Sequence, residues 1–180
     1  MIRRIRLGVV VLVAVLLQTT LFTHLRIDGV APELGLVCVL AVAYEEGANA
    51  GARFGFVMGL AMDLFLTTPL GLSAMSYAIT GYAVGVFQAS IVRSTPWIAP
   101  ILGGVGGLFG GLVFISVGAM VGQDGFLSMA SLKTVLIAAL YDALIAPVVF
   151  PIVRRAAREP EAAGLRDWGT VRASWKRSRG

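Results

Sequence analysis

Two carboxylates, Asp63 and Asp142, stand inside otherwise apolar sequence, and their type and setting give them the chemistry to explain. An aspartate in hydrocarbon costs about 2.5–3.5 kcal/mol on insertion scales, so each needs a partner or a task. Three tasks are open to Asp63: a proton or cation relay, a contact to a ligand or partner, or a polar contact that fixes a neighbouring helix. Relays line one path with several acidic or histidine groups, and the apolar runs supply only these two. Lys133 enters the last apolar run from its outer edge and can snorkel to water; an ion pair between Lys133 and Asp63 is the geometric possibility it raises. As an aspartyl-protease pair, Asp63 and Asp142 lack a glycine-rich flank. Serine-hydrolase, phosphate-loop, nucleotide-fold and zinc-protease motifs are absent from the sequence. His24 has no second histidine or cysteine nearby to make a metal site, and the single Cys38 excludes an intrachain disulfide. No catalytic, cofactor or metal residue is expected, and the chain reads as a non-enzyme.

The elements that carry these residues are set by composition. The chain has 180 residues, 57% of them hydrophobic and 14% charged, with a mean hydropathy of +0.84. Soluble domains carry about 25% charged residues, so the reading is an all-α integral membrane protein. Apolar runs predict six transmembrane helices, at about 7–23, 31–47, 50–66, 72–92, 97–121 and 132–153, with residues 1–153 as the membrane domain and 154–180 as a basic cytoplasmic tail. The first run sits behind Arg3, Arg4 and Arg6 and mimics a signal peptide, but no small-x-small cleavage site follows, so an uncleaved helix is expected. Glu45, Glu46, Gly47 and Asn49 are read as a loop.

Charge orients the helices. The tail from Arg154 onward nets +5, equal to the excess of the whole chain. With Arg53 and Arg93 it puts both termini on the cytoplasmic side under the positive-inside rule. A basic tail could suggest nucleic acid, but beside six spans it more simply touches anionic lipid. Trp168 and Trp175 in that tail are consistent either with an interfacial amphipathic helix or with a disordered segment.

Packing faces are legible too. Gly103, Gly107 and Gly111 recur every fourth residue in the fifth run, as do Gly106 and Gly110. Small residues at that spacing let helix backbones approach closely in lipid. Pro147, five residues after Asp142, removes a backbone donor and kinks or frees its helix.

The stretch Gly55-Phe-Val-Met-Gly59-Leu-Ala-Met-Asp63, followed by Pro69-Leu-Gly71, resembles the signature of the rod shape-determining protein MreD family: Gly-Phe-x-x-Gly-Leu-x-x-Asp, then a small-residue turn containing glycine. Pro32-Glu33-Leu34 looks like the proline that opens the family's second span. Leu140-Tyr-Asp142-Ala-Leu-Ile-Ala-Pro147 resembles the last span, where the family more often has Asn in place of Asp142. The likeness covers essentially residues 1–155. It implies a non-enzymatic subunit of the elongation machinery that builds rod-shaped bacterial cell walls, in the inner membrane. It also implies binding to the bitopic protein MreC, with links to MreB filaments, to the glycosyltransferase RodA and to RodA's transpeptidase partner. The fold it implies is a six-helix bundle like the S-components of vitamin transporters, which supplies a second expectation, a substrate-binding transporter subunit with an outer pocket near Asp63. Candidate packing or partner-binding residues are Gly55, Gly59, Asp63, Pro69, Gly71, Gly103, Gly107, Gly111, Asp142 and Pro147.

Overall fold

The computed structural model describes residues 2–21, 30–65, 69–88, 97–122 and 128–157. The expectations for His24, for Arg93 and for Trp168 and Trp175 of the tail lie outside these residues. Six helices make up the described chain: α1 (Ile2–Thr20), α2 (Leu34–Glu46), α3 (Ala48–Asp63), α4 (Leu72–Phe87), α5 (Ile98–Met120) and α6 (Met129–Ala157).

Helix α2 is the axis of the bundle. It packs against all five other helices, and every residue from Leu34 to Tyr44 is buried. Its sequence is apolar on all sides, which is the pattern of a helix surrounded by protein. At thirteen residues it is about 20 Å long, well short of the ~30 Å hydrocarbon thickness. Glu45 and Glu46, read from sequence as loop, still belong to α2. A single residue, Gly47 at φ +87°, separates α2 from α3. Side chains rarely adopt that backbone region, so glycine here permits a one-residue reversal.

The outer helices show the opposite pattern. In the most apolar windows of α5 and α6 only 28% and 33% of the residues are buried, and both helices are long and apolar enough to cross a membrane. Ile5, Leu12, Leu16, Ile101, Val105, Leu140, Leu144 and Val148 all face outward. Soluble proteins do not expose apolar surface on this scale; hydrocarbon solvates it. The chain is a membrane protein.

Ion pairs close one end of the bundle. Arg3 of α1 pairs with Glu46, and Arg154 of α6 pairs with Glu45 at 3.3 Å. The start of α1 and the end of α6 therefore share the end of the bundle where α2 finishes. Helix α6 runs unbroken through Pro147 and Pro151, although each proline leaves the carbonyl four residues earlier without its usual donor. It begins earlier than the predicted span, at Met129, because the Ser128 hydroxyl accepts the Ser131 N–H at 3.1 Å as an N-cap.

Candidate functional site

Helices α3 and α4 meet along a stripe of residues four apart: Gly51, Gly55, Gly59 and Asp63. A Cβ on Gly51 would lie 2.5 Å from the Gly81 carbonyl oxygen, while one on Gly55 or Gly59 would collide with the carbonyl oxygens of Tyr77 or Ser73. The two backbones touch without intervening side chains. Asp63 is the next step of that stripe and the last residue of α3, so its side chain arrives at the start of α4.

There it acts as a helix cap. Its Oδ2 accepts the Gly71 N–H at 2.8 Å and the Ala74 N–H at 3.3 Å, and its Oδ1 accepts the Ser73 N–H at 3.1 Å. The first N–H groups of a helix lack intrahelical acceptors and carry the positive end of its dipole. A carboxylate satisfies both needs at once, which is how Asp63 stays 2% exposed without a cationic partner among the described residues. Gly71 sits at φ +98° with nothing near its missing side chain, so the turn demands its backbone conformation rather than its size. The Pro69 carbonyl receives the Leu72 N–H at 3.2 Å and closes the turn.

The expected ion pair between Lys133 and Asp63 does not form: Lys133 is exposed, and both Asp63 oxygens are engaged by backbone donors. Arg53 instead donates from Nε to the Asn49 carbonyl at 3.0 Å within its own helix.

A second polar centre lies where α2 begins. Gln18 of α1 donates from Nε2 to the Pro32 carbonyl at 2.8 Å and accepts the Leu34 N–H at Oε1, 2.9 Å away. Asp142 of α6 accepts the Glu33 N–H at Oδ1, 2.8 Å away. Two side chains from separate helices thus hold the three-residue entry into α2. Asp142 is 1% exposed, and among the described residues no donor reaches its Oδ2. That oxygen points along α5, where a Cβ on Gly107 would lie 2.7 Å from it.

The glycines of α5 divide between two neighbours. Gly103, Gly107 and Gly111 face α6, meeting the Asp142 carbonyl, the Asp142 side chain and Val135 respectively. Gly106 and Gly110 face α2, against Leu40 and Leu36. Two offset glycine series on one helix let it dock against two partners at short range. Pro147 is exposed on the outer side of α6.

Beside Asp142 the bundle opens into a cavity of about 430 Å³ between the second half of α5 and the first half of α6. Its polar lining is Glu33, Asp142, Ser131 and Thr134, and Phe114, Ile115 and Val135 form apolar wall. The Tyr77 hydroxyl lies near the half-buried Glu33 carboxyl. The sequence analysis gave Glu33 no role beyond the opening of the second span and put a pocket beside Asp63 instead. The available signal was an acidic residue between a proline and a long apolar run, at the start of a helix.

Comparison with known proteins gives one finding. The family described as rod shape-determining protein MreD matches this chain over residues 2–158. No curated protein and no solved structure matches.

Proposed function

The chain belongs to the MreD family of rod shape-determining proteins, and from that premise we propose that it is a non-enzymatic membrane scaffold of the elongation complex. Membership carries a role in rod shape. In our reading the chain binds an MreC-like bitopic protein and helps couple MreB filaments to peptidoglycan synthesis by RodA and its transpeptidase partner.

The observation that carries this reading is the fate of the signature residues. Gly55, Gly59 and Gly71 shape the α3–α4 pair, and Asp63 spends both oxygens on the backbone of α4. A carboxylate that takes three backbone donors is engaged as a helix cap, which supports reading the signature as architecture. The remaining surface, apolar on α1, α5 and α6, suits helix packing in lipid.

We place all six helices in the bacterial inner membrane with both termini cytoplasmic. Support comes from Arg3, Arg154 and Arg155, which gather at one end of the bundle. Residues 1–153 then form the membrane domain and 154–180 a basic tail. The short α2 tolerates its length because protein, not lipid, surrounds it.

Detergent co-purification with a single-span MreC-like partner tests the scaffold. Stable recovery of the pair is expected. Recovery of the chain alone, carrying a vitamin-sized molecule, would favour the transporter-subunit reading, for which the cavity beside Asp142 is the specific support.

A further inference from the structure

We propose that the cavity between α5 and α6 is a binding site for an organic cation, a primary ammonium or guanidinium group on an apolar stem. Its chemistry is asymmetric. At its inner wall stand two carboxylates, Glu33 and Asp142. One Asp142 oxygen accepts the Glu33 N–H, and the side chain also lines the cavity, where no donor to its other oxygen is found among the described residues. A carboxyl oxygen on a cavity wall is best satisfied by a donor that also carries positive charge. The start of α2 offers about half a positive charge from its dipole, which offsets only part of two carboxylates.

No side chain of the described residues supplies the missing cation. Lys133, the basic residue nearest in sequence, is exposed and is not part of the lining. Metal ions suit the site poorly, because no three histidine, cysteine or acidic side chains converge among the described residues. What the lining does match is a single charged head with hydrogens to donate, flanked by the hydroxyls of Ser131 and Thr134, and a stem against Phe114 and Val135. At about 430 Å³ the volume falls in the range of small-molecule sites and exceeds what an ordered water or two would need. The same head-and-stem chemistry belongs to a free alkylamine and to a lysine or arginine side chain of a docked protein.

The test titrates n-hexylammonium and n-hexylguanidinium into the purified full-length chain in detergent and follows thermal unfolding, with n-hexanol as the uncharged control. Saturable stabilisation by the two cations and not by hexanol is expected. Asp142→Asn keeps an oxygen for the Glu33 N–H and should weaken cation binding at least ten-fold. Ala138→Leu fills the cavity without touching the α2 entry and should abolish saturation. Glu45→Gln, at the opposite end, should bind as the parent does. If a cation that binds also displaces an MreC-like partner from the purified pair, the natural occupant is a protein side chain; binding without displacement assigns a free amine. Equal effects of hexanol and hexylammonium, or saturable binding that survives in both cavity variants, would overturn the proposal.

Discussion

Asp63 and Asp142 are both buried, both lie among apolar residues, and both accept hydrogen bonds from the start of another helix. They differ in how completely they are used. Asp63 gives two oxygens to three backbone donors of α4 in a region where α3 and α4 touch backbone to backbone. Asp142 gives one oxygen to one donor and turns the other toward a cavity. The same residue type is therefore a structural cap in one region and an incompletely paired charge in the other. Burial alone does not separate the two; the count of donors does.

The sharpest way to break the first region is to add bulk. Gly59→Leu would drive a side chain into the Ser73 carbonyl and Ala74 backbone of α4. Loss of folded, monodisperse protein is expected on size exclusion, since overpacking costs about 1–3 kcal/mol or more, and a backbone on the receiving side can shift least. Gly8→Ala is the control: nothing lies within 4 Å of its added Cβ, and protein yield should be unchanged.

Removing the cap comes next. Asp63→Ala orphans three buried or part-buried N–H groups, each worth about 1–3 kcal/mol, and should lower the unfolding midpoint strongly. In cells the variant should lose rod shape together with protein level. Gln18→Ala removes two hydrogen bonds from the α2 entry and should cost about 1–3 kcal/mol, measured as a smaller drop in midpoint. At the opposite end, Arg154→Gln breaks a pair whose arginine is 53% exposed, and should change stability by no more than about 1 kcal/mol in the same melt.

Much of this molecule can be read from its residues, for physical reasons that differ by element. The fifth helix declared its two packing faces because glycines four apart mark a face whatever lies opposite. The Gly55–Gly59–Asp63 spacing was visible too, and so was its continuation back to Gly51, which was not singled out. Hidden from sequence was the partner of Asp63, because its donors are backbone N–H groups that any sequence at Gly71, Ser73 and Ala74 would supply. An ion pair with Lys133 was the side-chain alternative, and backbone donors displaced it. The central position of α2 was hidden as well: an apolar run facing lipid and one facing protein have the same composition. Its brevity and its lack of an outward polar face were the available signals. The cavity lay beyond reach because it depends on how α5 and α6 pack beside Asp142, which no local sequence pattern sets.

A single side-by-side melt tests the central claim that Asp63 holds the fold while Asp142 faces a site. Asp63→Asn puts an amide NH₂ against a backbone donor; Asp142→Asn keeps its one hydrogen bond and removes a partly unpaired charge. The account predicts a clear fall in the unfolding midpoint for Asp63→Asn, and for Asp142→Asn a midpoint equal to or above that of the parent chain. An unchanged midpoint in Asp63→Asn, or a larger fall in Asp142→Asn, would contradict it.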